Sequence, residues 1–152
     1  MAEHIAIIRW KCTSPDFLKG RYSREHTWTF DGGLTVAASS SPSVVPPPGS
    51  NPANVDPEEA FVAAISSCHM LSFLYIAGKQ GFQVDSYEDK AVGSMAKNEK
   101  GVPWVSAVAL HPQIVYGGEK RPTPADEEKL HHVAHEQCFI ANSVKTNITV
   151  NH

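Results

Sequence analysis

A thiol can attack a peroxide, exchange with a disulfide or ligate a metal, and its neighbours decide which. The sequence carries three, at Cys12, Cys68 and Cys138. Cys68 stands in Ser66-Ser67-Cys68-His69-Met70 and Cys138 in His135-Glu136-Gln137-Cys138-Phe139. Taken singly, each has the character of a small buried hydrophobe. Taken together, they are thiols with chemistry or plain core residues rather than a structural disulfide framework. Cys12 has no motif around it and reads as a strand residue without a role. A second chemistry is open on the same stretch. His131, His135 and Cys138 recur at i, i+4 and i+7, with His132 adjacent, and histidine and cysteine on one helical face could ligate zinc. No CxxC or HExxH pair accompanies them. His69 sits about 100° around a helix from Cys68, which makes it a structural residue rather than a base for that thiol. A Cys-His hydrolase would need a nucleophile elbow, and none is present.

The elements that must hold these residues are legible in outline. Ile5 to Lys11 and Thr27 to Phe30 are rich in β-formers, Asp31-Gly32-Gly33 signals a turn, and Leu34 to Ala37 returns as a third strand. Ser39 to Asn54 is a proline- and serine-rich loop, long enough to be functional or to serve as a plain covering flap. Asp56, Pro57, Glu58 and Glu59 form an N-cap, a first-turn proline and acids suited to the helix dipole. They open a helix running to about Lys79, with Gly81 near its stop. Its stripe Phe61, Ala64, Ile65, Cys68, Leu71, Ser72, Tyr75 has helical spacing. Val62, Leu74 and Ile76 lie off the stripe and are apolar too, so the helix is expected to be buried nearly all round. Tyr87 to Ala96 and Val105 to Tyr116 read as two long strands joined by the turn Lys97 to Gly101. Thr123 caps a second helix ending near Cys138 or Phe139, and Val144 to Val150 alternates as a closing strand. The order β-β-β-α-β-β-α-β implies an α+β fold with mainly antiparallel sheet, in one domain over residues 1–152.

The totals exclude several classes. A net charge of -3 with scattered basic residues gives no footprint for nucleic acid. The N-terminus lacks a basic region followed by an apolar run, and the apolar stretch Phe61 to Ala77 is interrupted by serines, a cysteine and a histidine. The expectation is a soluble, cytoplasmic protein with no membrane partner, whose thiols are free rather than a disulfide framework.

The run Pro57-Glu58-Glu59-Ala60-Phe61-Val62-Ala63-Ala64-Ile65-Ser66-Ser67-Cys68 resembles the signature of the OsmC/Ohr family of organic-hydroperoxide reductases. In that family a glutamate after proline lies ten positions before the peroxidatic cysteine, as Glu58 does before Cys68. Seventy residues further on, Ala134-His135-Glu136-Gln137-Cys138, followed by Ile140-Ala141-Asn142-Ser143, resembles the second cysteine motif. The chain departs from the organic-hydroperoxide branch where proline usually follows the second cysteine (here Phe139) and where an apolar residue is common after the first (here His69). These departures place it in a less characterised OsmC-like branch.

The resemblance implies antiparallel sheets around a long buried central helix, a second helix, and an intertwined homodimer. It implies that Cys68 attacks an organic hydroperoxide and forms a sulfenic acid, that Cys138 resolves it as a disulfide, and that a dithiol, typically on a lipoyl-bearing protein, resets the pair. It assigns Glu58 to hold an arginine that activates Cys68; Arg24 fits that arginine best, with Arg21 the alternative. No cofactor or metal is implied. Ten residues of helix separate Glu58 from Cys68 by about 15 Å, so an arginine held by Glu58 would serve the partner subunit's cysteine across a two-fold axis. Phe61, Met70, Leu71, Phe139 and Ile140 would suit a bulky hydroperoxide. A non-enzymatic binding or stress-associated protein with two buried thiols is the alternative.

Overall fold

The computed structural model describes all residues from Met1 to His152. They fall into two compact units, 1–60 and 61–152. In the first, strands β1 (Ala6–Arg9), β2 (His26–Phe30) and β3 (Thr35–Ala38) form an antiparallel sheet in that order. Ala6 pairs with Phe30 and Thr29 with Thr35, so the expected meander is present. The stretch after β3 contains no helix or strand, yet its backbone is tied down. Ser39 N–H donates to Val55 O at 2.9 Å, Asn51 N–H to Ser39 Oγ at 3.0 Å, and Asn51 Nδ2 to Glu25 Oε1 at 2.7 Å.

Helix α1 (Pro57–Lys79) begins as expected, with Asp56 Oδ1 accepting the Glu59 N–H at 2.8 Å. The chain turns away at Gly81, whose φ of 84° favours a residue without Cβ. Within residues 61–152 the helix feeds two cores. Ile65 packs with Val108 and Leu110, while Phe73, Ile76 and Ala77 pack with Phe82, Leu130 and Ala134. The buried stripe therefore runs Ile65, His69, Phe73, Ile76. Two members of the stripe read from the sequence, Leu71 and Tyr75, are 61% and 66% exposed. The helix expected to be buried nearly all round is therefore buried on one side only within this chain. The helix is long and apolar enough to cross a membrane, but its inner face is committed to these two cores.

The two long strands expected between the helices are each broken in two. β4 (Gln83–Asp89) and β5 (Val92–Lys97) replace the first, and β6 (Pro103–Leu110) and β7 (Pro112–Gly117) the second. β4 pairs with β7, and β5 with β6, in separate sheets. The break is chemical as well as steric. Pro112 restricts His111, and Asp89 at the end of β4 accepts the His111 N–H through Oδ1 at 2.6 Å and the Ser66 hydroxyl of α1 through Oδ2. Glycine at position 93 lets β5 close on α1, since a Cβ there would come within 2.5 Å of Val62 Cγ2. Helix α2 (Pro124–Gln137) opens with a full capping box between Thr123 and Asp126. β8 (Asn147–Val150) then joins β6 in parallel, Val108 opposite Ile148, the one parallel pair in a mainly antiparallel fold.

Candidate active site

Cys68 is half-buried in the middle of α1, and Cys138 caps the end of α2 with 1% of its surface exposed. The cores that α1 and α2 share with β4 and β7 bring these two helices together, and the two thiols lie beside each other. Burial pushes the Cys138 thiol above its ordinary pKa; the neighbouring Cys68 thiol adds to the rise, and the Ala141 and Ile140 N–H groups oppose it. No disulfide joins the two cysteines. The turn after Cys138 is held locally. Ala141 N–H donates to Cys138 Sγ at 3.4 Å, and Asn142 Nδ2 donates to Cys138 O at 2.8 Å and Glu136 O at 2.9 Å. Leu71 and Phe139 face outward, whereas Ile140 packs with Ile65 and its neighbours. Cys12 is exposed, and its thiol donates to Ser14 O at 3.3 Å.

Arg24 lies just before β2. Its guanidinium rests 3.7 Å from the centroid of the Tyr22 ring, and Nη1 donates to Tyr22 O at 2.5 Å and Gly20 O at 3.4 Å. It lines a cavity of about 410 Å³ with Trp10, Phe17, Tyr22, His26 and Ser39, an apolar and aromatic wall carrying one fixed positive charge. Arg21 contributes its backbone to the same turn, N–H to Asp16 O and carbonyl to the Ser14 hydroxyl. Arg24 and Glu58 form no salt bridge within the chain. Glu58 Oε2 is instead buried without a hydrogen-bond partner, a costly arrangement for a carboxylate oxygen.

The zinc set open on sequence grounds, His131 with His135 and Cys138, does not converge. Cys138 turns to Cys68, His132 pairs with Glu136 at 3.2 Å on the surface, and His131 turns inward. A different histidine cluster, which the sequence did not disclose, occupies the crossing of α1 and α2. His69 Nε2 and His131 Nδ1 are 3.0 Å apart, and the His131 ring stacks on Phe73 and His152 at centroid distances of 4.4 and 4.7 Å. Burial drives His69 down to about 4 and His131 to about 3, so both rings are neutral. His69 and His131 are 62 residues apart, and no local spacing could have paired them.

Two helices set against split, mainly antiparallel sheets match the OsmC fold. The chain matches the solved structure of an OsmC-like protein of unknown function from Vibrio cholerae with a TM-score of 0.96 and 57% identity, over 99% of each chain. It shares its fold with an organic hydroperoxide resistance protein OsmC from Legionella pneumophila (TM-score 0.70, 19% identity, 99% and 95% covered). The organic hydroperoxide resistance protein OhrB of Bacillus subtilis has the same fold (TM-score 0.69, 20% identity, 99% and 96% covered). No curated protein sequence gives a significant match. Residues 49–152 match the family described as OsmC-like protein, and the chain belongs to that family.

Proposed function

We propose that the chain is a thiol-dependent peroxidase that reduces organic hydroperoxides to alcohols. The observation that supports this most is the adjacency of Cys68 and Cys138, whose thiols meet although they are seventy residues apart on different helices. The Cys68 thiolate attacks the outer peroxide oxygen; the O–O bond breaks, the alkoxide takes a proton and leaves as alcohol, and sulfur becomes a sulfenic acid. The Cys138 thiol condenses with it, expelling water and forming the Cys68–Cys138 disulfide. A dithiol of the lipoyl class reduces that disulfide by exchange and is itself oxidised. Arg24 is the activating cation and Glu58 its holder, acting on the cysteine of a second subunit in a homodimer. In that state Arg24 leaves the Tyr22 and Gly20 carbonyls for the carboxylate oxygen of Glu58 that has no partner within the chain. The aromatic cavity beside Arg24 would take the organic portion of the substrate.

The test is to treat the pre-reduced protein with a slight excess of cumene hydroperoxide and map its cysteines by mass spectrometry. The wild type should form the Cys68–Cys138 disulfide, Cys138→Ser should accumulate a Cys68 sulfenic acid, and Cys68→Ser should not react. Thiols that stay reduced while a known thiol peroxidase turns over alongside would make this an OsmC-fold binding protein instead.

A further inference from the structure

The histidine cluster between the helices has a free ligating atom that the peroxidase reading does not use. His131 is 2% exposed, and its Nε2 has no hydrogen-bond partner. Its other ring nitrogen, Nδ1, is engaged by His69. A buried ring nitrogen with no partner is costly unless something outside the protein satisfies it. Glu127, one turn earlier on α2, and His152 offer further donor atoms, and one such atom from each of the three residues lies within 4.8 Å of the others. His152 Nδ1 and Glu127 Oε1 are 3.5 Å apart. Two donors on a tetrahedral ion, each about 2.0–2.1 Å from it, sit about 3.4 Å from one another, so these side chains are close to ligating separation.

We propose that Glu127, His131 and His152 form a binding site for a divalent transition-metal ion, zinc foremost. The donor set is two imidazoles and one carboxylate, which suits a borderline ion and leaves a fourth position for water. The outer partners are already in place. The Tyr116 hydroxyl donates to Glu127 Oε2 at 2.7 Å, leaving Oε1 for the ion. His69 Nε2 accepts from His131 Nδ1–H once the metal takes Nε2, fixing the His131 tautomer as outer-sphere hydrogen bonds commonly do for ligating histidines. Glu127 and His152 side chains are about a quarter exposed (26% and 23%), which gives the ion a way in. The site shares no ligand with the cysteine pair.

The experiment is calorimetric titration of chelator-stripped protein with zinc chloride, repeated with cobalt(II) while recording its visible spectrum. Three variants accompany the wild type: His152→Ala and Glu127→Gln, both at partly exposed side chains, and a Cys68→Ser/Cys138→Ser double variant. Circular dichroism checks that each is folded. The expected result is one ion per chain. Affinity should fall in His152→Ala and Glu127→Gln by at least the roughly 10–100-fold that loss of an outer-sphere partner costs. The double cysteine variant should keep wild-type affinity and show the same cobalt spectrum, without thiolate charge-transfer bands. No binding by the wild type, unchanged affinity in either single variant, or loss of binding in the cysteine variant would overturn the assignment. Loss in the cysteine variant would point to the thiols as the ligands, an outcome separate from any failure of peroxide chemistry.

Discussion

His69 from the middle of α1 and His131 from α2 meet at 3.0 Å, ring against ring, with their faces 8° from parallel. Both are almost wholly buried, so the contact joins the helices as a piece of core that happens to be polar. Replacing His69 with alanine removes a buried ring, opens a cavity and strips His131 Nδ1 of its only partner. The expected loss is about 2–4 kcal/mol of unfolding free energy, read as a lower urea midpoint at unchanged slope. Cys12→Ser, at an exposed site, should change stability by less than about 0.5 kcal/mol and serves as the reference. Equal midpoints for the two variants would show that the histidine pair is not part of the core.

In the proposed cycle, Cys138 sets the pH dependence of the resolving step. Its thiol is pushed up chiefly by burial, so at neutral pH it is protonated in the folded chain. The neutral form is the one the fold favours. That contribution to stability is complete below the unfolded thiol pKa and is lost as pH rises through the raised folded value. Reactivity runs the other way, because only the thiolate attacks. In the Cys68→Ser background, alkylation of Cys138 by iodoacetamide should rise about tenfold per pH unit from neutral pH and continue rising past pH 9, as expected for an undissociated thiol. A rate that levels off below pH 8 would mean the thiol is activated rather than suppressed.

Arg24 and Arg21 can be told apart by charge removal. Taking a guanidinium away from a thiolate raises the thiol pKa by about one to two units, which lowers the thiolate fraction at neutral pH roughly 10–100-fold. Arg24→Met is expected to slow the reaction of Cys68 with cumene hydroperoxide by that factor. Arg21→Met should leave the rate within about twofold, since Arg21 is engaged through its backbone in the turn beside Asp16. Stopped-flow tryptophan fluorescence or competitive consumption of hydroperoxide reads the rate. The reverse ranking would move the activating role to Arg21.

The parts of this fold that were legible in the sequence are those fixed by local chemistry. Asp56 and Thr123 announce their helices because an N-cap needs only its own first turn, and both accept the expected N–H groups. Cys68 and Cys138 stand out because each motif is contiguous. What was missed depends on distant residues. Lys90 and Ala91 have no strong breaking character, and the division of one apparent strand into β4 and β5 is imposed by Asp89 reaching His111 and Ser66. The Leu71 and Tyr75 side of α1 carries the same apolar signal as the Ile65 and Phe73 side, so periodicity could not say which one a single chain covers. His152 gave no sign of joining His131, because that meeting follows from β8 pairing with β6.

The exposed side of α1 bears on assembly. Leu71 and Tyr75 stand on one stripe, an apolar face that a single chain leaves in water. Covering a leucine or tyrosine fully is worth about 1.5–3 kcal/mol each, enough to drive association when several do so together. A homodimer packed through α1 would complete the burial that the apolar sequence of this helix calls for. Light scattering on the wild type should therefore give twice the chain mass of 16.5 kDa. Leu71→Glu places a charge in that surface without disturbing the Ile65, Phe73 and Ile76 side, so it should weaken the dimer at least about tenfold while the helical circular dichroism persists. If wild type and Leu71→Glu both run at the mass of one chain, the exposed stripe is not a subunit interface, and Arg24 and Glu58 cannot serve a partner's Cys68.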